Sequence, residues 1–151
     1  MKRVAFCFLI FIAQFSFGQD STLHTSKFDS ENIAILKHFS YDKGAKYTKL
    51  TNTDLILVDE IIDRCLSEYN RGRDTSSYEF LKSSIYKRQY VPFIKNGQKY
   101  VWVNFFCGDV KQYPYWRKKP VLVFDGGNCY FNVTINLSTE KYFSLYINGM
   151  A

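Results

Sequence analysis

Histidine is almost missing from this chain: there are two in 151 residues, His24 and His38, both towards the amino end. Imidazole is the side chain whose ordinary pKa lies nearest neutrality, so its scarcity removes the commonest general base and the commonest metal ligand from most of the sequence. The four cysteines, Cys7, Cys65, Cys107 and Cys129, do not fall at the paired spacings that hold zinc, and neither a metal nor a cofactor is expected. A Cys–His nucleophile pair would have to join Cys107 or Cys129 to His38 across much of the chain; the cysteines read more simply as core residues or a bridge. The expectation is a protein that is not an enzyme. Internal repeats and low-complexity tracts are absent as well.

Long hydrophobic runs are limited to the amino end. Lys2 and Arg3 precede an apolar stretch from Val4 to Phe17, broken only by Gln14 and Ser16, and small residues stand at Ser16 and Gly18. This is the pattern of a secretory signal peptide spanning residues 1–18 and cleaved after Gly18. The run is shorter than the roughly 20 apolar residues of a membrane helix, so no stable membrane insertion is expected after cleavage. The expected location is secreted or periplasmic, where disulfides persist. Cleavage leaves Cys65, Cys107 and Cys129, enough for one bridge with three choices of pair. Cys107 and Cys129 lie nearest to loops and are the candidate pair, although a simple meander sets them at opposite ends of their strands. Cys65 is the candidate buried thiol.

Cleavage removes two of the twenty basic residues and none of the fourteen acidic ones, which leaves a net charge of +4. The charge is uneven: residues 19–80 carry a net −3 and residues 81–151 a net +7. A basic carboxyl-terminal half attracts an acidic partner or an anionic surface. For an exported protein, nucleic acid is not an expected partner.

Residues 19–50 form an amino-terminal segment of mixed pattern, in which a short helix after Ser30, ended at Gly44, is the expectation from the spacing of Ile33, Leu36 and Lys37. Residues 51–151 read as a single α+β domain. Its helix lies in TNTDLILVDEIIDRCLSEYN, with Thr51 or Thr53 as cap and Leu55, Val58, Ile62, Cys65, Leu66 and Tyr69 on one face. Asp59, Asp63, Arg64 and Ser67 fall mostly on the other. Five strands follow: residues 85–94, with Pro92 marking an edge or bulge, then 98–107, 120–125, 129–137 and 141–148. Asp125-Gly126-Gly127-Asn128 is read as a hairpin turn rather than a ligand cradle, because glycine takes positive φ without a clash. A three-residue turn at Lys95-Asn96-Gly97 sets Tyr90 opposite Trp102 and Arg88 opposite Asn104; one at Ser138-Thr139-Glu140 sets Ile135 opposite Phe143 and Val133 opposite Leu145.

Two aromatic clusters are the candidate sites. The outward sheet face carries Tyr90, Tyr100 and Trp102, with Tyr130, Tyr142 and Tyr146 sharing it, and reads as a binding surface, a dimer contact or a face covered by the amino-terminal segment. The loop Lys111–Lys119 interleaves Tyr113, Tyr115 and Trp116 with Arg117 and Lys118, a pairing of rings and cations suited to anchoring a protein partner; alternatively Trp116 folds back to cap the core. Asn132-Val133-Thr134 and Asn136-Leu137-Ser138 match the N-glycosylation triplet on outward-pointing positions.

One helix followed by an antiparallel meander resembles the cystatin-like fold, over roughly residues 51–151; the cone-shaped sheet of the nuclear-transport-factor-2-like kind is the alternative. Cystatins enter papain-like proteases with Gln-x-Val-x-Gly and Pro-Trp hairpins. Here Gln89-Tyr90-Val91-Pro92-Phe93 lacks the glycine and lies away from the hairpin tip, and Pro114-Tyr115-Trp116 carries an inserted tyrosine. The chain also looks like small exported bacterial proteins without an assigned activity. The Trp/Tyr/Arg cluster, with no acid–base constellation beside it, leads to the expectation of an exported binding module for a protein partner, with inhibitor or immunity-like roles among its forms. The alternatives are a structural envelope component that self-associates and a cone fold with a small-ligand or catalytic pocket between helix and sheet.

Overall fold

The computed structural model describes residue 29, residues 31–37 and residues 43–149. The signal segment 1–18, His24 and His38 lie outside the described residues. Among the described residues, no helix is long and apolar enough to cross a membrane.

Thr51 starts the helix α1, Asn52–Asn70, through a reciprocal cap: its hydroxyl accepts from the Asp54 N–H, and the Asp54 carboxylate accepts from the Thr51 N–H. Val58, Ile61, Ile62, Cys65 and Leu66 form its buried face. Gly72, at φ 78°, lets the chain leave the helix in a left-handed turn. Four long antiparallel strands carry the sheet: β3 (Lys87–Lys95), β4 (Gln98–Phe106), β5 (Tyr130–Asn136) and β6 (Lys141–Ile147). Two short strands, β1 (Ile33–Ile35) and β2 (Lys46–Tyr47), complete it, β1 running parallel to β3 and β2 antiparallel to it. The result is α+β, with a six-stranded, mostly antiparallel open sheet.

The short helix expected after Ser30 is instead β1. Ile33, Ala34 and Leu36 are buried on both sides of the chain, which is the demand of a strand laid into a sheet and not of a one-faced helix. Leu36 N–H donates to the Tyr90 carbonyl and Thr48 N–H to the Pro92 carbonyl, so β1 and β2 share one side of β3. Pro92 sits where β1 has ended and β2 has not begun, and its missing N–H removes no ladder bond.

The first hairpin turns on two residues, not three. Lys95 pairs with Gln98, and Asn96 and Gly97 both take positive φ, 51° and 74°. This one-residue change moves every side chain of β3 to the opposite face. Val91 now faces Trp102, Gln89 faces Asn104, and Tyr90 faces Val103 in the helix-side core. The last hairpin shows the same slip, with Ile135 opposite Tyr142 and Thr134 opposite Phe143. A bulge at Ser144, φ 56°, then restores the expected register, so that Phe131 meets Ile147. Tyr142 therefore joins the helix side, not the outer face, and its hydroxyl donates to Glu68.

The expected third strand, residues 120–125, does not enter the sheet. β4 pairs directly with β5, Val101, Val103 and Phe105 meeting Ile135, Val133 and Phe131. Everything between them is a long strap, residues 108–128. The glycines at its end do adopt positive φ, 83° at Gly126 and 56° at Gly127, but they turn a corner into a short 3-10 turn instead of closing a hairpin. A Cβ on Gly126 would stand 2.6 Å from the Tyr130 ring, so glycine is required there twice over.

Two cores lie on opposite faces of the sheet. On one, α1 covers Tyr86, Tyr90, Val101, Val103, Phe105, Phe131, Val133 and Ile135. Phe105 and Phe131 stack at 4.2 Å, with Tyr86 edge-on to Phe131 at 4.9 Å. On the other face, the strap covers Val91, Phe93, Trp102 and Phe106 with its own Trp116 and Val121.

Candidate functional site

The strap is built from its anchors outward. At its neck, Cys107 and Cys129 are joined by a disulfide, because direct pairing of β4 with β5 brings them face to face. The meander that set them apart contained a strand that does not form. Cys107 is exposed and Cys129 half-buried, so neither lies in the core as their strand positions imply; Cys65 is the buried free thiol, pushed up to about 12 by burial and by Glu68. Beside the neck the Tyr113 and Tyr130 hydroxyls share a hydrogen bond at 2.8 Å, which, with burial, holds the Tyr130 phenol up at about 12.

The middle of the strap is held by three amide side chains. Gln89, fully buried, donates to the Trp116 and Lys119 carbonyls and accepts from the Val121 N–H and from Asn104. Asn104 also donates to the Val121 carbonyl at 2.8 Å. Asn148 donates to the Val123 and Asp125 carbonyls at 2.5 and 2.9 Å. A loop lying on an apolar sheet face would strand its backbone polar groups; these amides meet them.

Trp116, the proposed exposed anchor, is 7% exposed and packs edge-on against Phe106 at 5.6 Å. The Arg117 guanidinium lies 4.3 Å from its ring centroid and donates to the Glu31 carbonyl at 3.0 Å. Trp102 is buried beneath the strap and donates to Asn132, Tyr100 is half-buried against Phe93, and Tyr90 is sealed under the helix. Over β3 and β4 the outer sheet face is thus a second core, while Phe143 and Tyr146 on β6 stay exposed. For the same reason the glycosylation triplets are obstructed: Asn136 is buried, and Asn132 holds the Trp102 indole.

What the strap leaves in water is a ridge. Tyr115 is 65% exposed, Leu122 58% and Phe124 95%. Arg117, Lys118, Lys119 and Lys111 are exposed around them, while Tyr113 is half-buried. Between Lys111 and Phe124 there are four cations and no carboxylate. Tyr113, Tyr115, Trp116, Lys119, Pro120 and Leu122 line a groove of ≈ 270 Å³ along the ridge. Leu122 and Phe124 were missed because the alternation of residues 120–125 was assigned to a buried strand; Asn104 was legible as an uncharged amide alternating with Trp102 and Phe106, and Gln89 as one between Arg88 and Tyr90.

On the helix side, Asp59 accepts from the Tyr90 hydroxyl and from Arg88, each at 2.9 Å. Burial raises the Tyr90 phenol, and Asp59 raises it further while Arg88 opposes. This keeps the proton on Tyr90 and ties α1 to β3. Asp59 is therefore half-buried in the joint, not on a purely solvated face. The buried face of α1 packs directly on the strands, and at its rim Arg64, Glu68, Thr139, Glu140 and Tyr142 line an open, polar groove. Among the described residues no group of three or more His, Cys, Asp or Glu is placed to hold a metal ion.

Family models, curated proteins and solved structures compared with this chain give no match.

Proposed function

We propose that the protein is an exported, non-catalytic binding module that holds an acidic protein partner on the strap ridge. The observation that carries this reading is the ridge itself: Tyr115, Leu122 and Phe124 exposed among Lys111, Arg117, Lys118 and Lys119, on a loop anchored at both ends and in the middle. Exposed aromatic and aliphatic side chains are hydrated at a cost that contact with a partner relieves, and a rigid loop loses little entropy on binding. Export is supported by the pattern of residues 1–18 and by the disulfide, which fits an oxidising compartment. An inhibitor or immunity-like role is the form such a module takes if the partner is an enzyme or toxin. The cystatin-like comparison contributes the helix-on-sheet plan only, since Val91 is buried in β3 and Trp116 beneath the strap.

The test is chemical crosslinking of the chain from Gln19 in native extract, beside a Tyr115→Ser/Arg117→Glu variant. Both positions are exposed, but Arg117 also stacks on the Trp116 ring and donates to the Glu31 carbonyl, so the variant is expected to stay folded with a melting temperature a few degrees lower, which a thermal melt checks. One stoichiometric acidic partner, lost in the variant, is expected. A partner retained at equal yield by the variant overturns the site.

A further inference from the structure

The stretch Pro120–Phe124 has the in–out alternation of a strand without a neighbouring strand. Val121 is buried and Val123 half-buried, while Leu122 and Phe124 face water. In an extended chain the N–H and C=O groups of alternate residues point to opposite edges. One edge is used: Val121 N–H donates to Gln89 at 2.8 Å, Val121 C=O accepts from Asn104 at 2.8 Å, and Val123 C=O accepts from Asn148 at 2.5 Å. On the other edge, the main-chain N–H and C=O of Leu122 have no hydrogen-bond partner among the described residues. The three amide side chains thus do for one edge what a neighbouring strand would do, and leave the second edge presented to solvent.

We infer that this second edge is a docking strand: it pairs with an extended, acidic segment of the partner by strand addition. This rests on the binding reading above and names the partner's chemistry. A partner residue opposite Leu122 exchanges two hydrogen bonds with it, and its alternate side chains fall against the Tyr115–Leu122 groove and Phe124. The sign of the segment follows from charge complementarity. Residues 111–124 hold four cations and no anion, whereas α1, on the opposite face of the sheet, holds five acidic residues and one arginine. An acidic segment is repelled from one face and drawn to the other.

The test uses the chain from Gln19 and three probes: a blocked hexapeptide alternating Glu and Val, its Lys–Val counterpart, and phosphatidylglycerol vesicles. The acidic peptide is expected to bind, and to slow amide hydrogen exchange at Leu122. Leu122→Pro removes an N–H that makes no internal bond, so its melting curve should match the parent, and it should weaken binding about tenfold, the equivalent of one to two hydrogen bonds. Leu122→Val keeps the N–H and should bind within about threefold, since little apolar area changes. Failure of the acidic peptide to bind, equal binding of the basic one, unchanged affinity in Leu122→Pro, or binding to vesicles alone overturns the inference. If the captured partner survives Leu122→Pro but is lost with Tyr115→Ser/Arg117→Glu, the strap remains the site and strand pairing falls. If neither variant affects capture, the binding reading falls with it.

Discussion

Gln89 shows how much one side chain decides here. Its amide satisfies two strap carbonyls, one strap N–H and Asn104 from a fully buried position. Gln89→Leu leaves all four partners short of a bond, and we expect a loss of about 3 kcal/mol, read by denaturant melts, at the upper end of the penalty for stranded buried polar groups. From sequence, an amide between Arg88 and Tyr90 is visible but its partners, 15 to 32 residues away, are not. Asp54 gives a pH dependence. Burial pushes its carboxyl up, but Lys99 at 2.6 Å and the Thr51 N–H and hydroxyl hold it below its ordinary value. A lowered folded pKa means stabilisation that is complete above the unfolded value of about 3.9 and lost as pH falls through the folded one. Asp54→Asn should therefore cost about 1 kcal/mol at neutral pH, and the cost should shrink progressively as the pH is lowered below about 3.9, measured as paired denaturant midpoints. Cys65, with its thiol held up at about 12 and its side chain under α1, should resist iodoacetamide in the native protein and react once unfolded; native alkylation detected by mass would contradict its placement.

At the scale of elements, the helix was legible and the strap was not. The three-and-four spacing from Leu55 to Tyr69 dictates an amphipathic helix whatever it packs on, and Thr51 and Asp54 mark its start. Residues 120–125 alternate as a strand does, but alternation reports only that a chain is extended with one side covered. It does not distinguish a neighbour in the sheet plane from a sheet face beneath. The hairpin at Asn96-Gly97 was legible as a turn, but choosing three residues over two put Tyr90 on the wrong side of the sheet, and the outer aromatic cluster depended on that choice. The strap also sets an energetic expectation. Its disulfide closes a loop of 22 residues, so the Cys107→Ser/Cys129→Ser double variant should lose about 3 kcal/mol on the chain-entropy account. The amide anchors should still seat the strap, with Trp116 fluorescence unchanged in the folded variant. Trp116→Ala, by contrast, should lose about 3–5 kcal/mol, as expected for an aromatic side chain removed from a packed core.

The whole molecule is a sheet between two unlike covers: an acidic helix on one side and a basic strap on the other. The bulk charge of the carboxyl-terminal half was legible in the sequence; its opposition across the sheet required knowing which face each element covers. Association with an acidic partner should consequently weaken as salt shortens the Debye length, chiefly through a slower association rate, and stopped-flow mixing between about 0.05 and 0.5 M salt reads this directly. A flat salt response would mean that the charges do not face the partner.

The way the strap is fastened bears on how this protein can change over generations. Its anchors reach it through main-chain carbonyls and N–H groups, of Trp116, Lys119, Val121, Val123 and Asp125, and these are the same whatever side chain a position carries. Positions 115, 118, 122 and 124 therefore stand outside the conditions for folding, although they dominate what a visitor meets. Lineages carrying this architecture are free to exchange one recognition surface for another by single substitutions, each tolerated by the same unaltered frame.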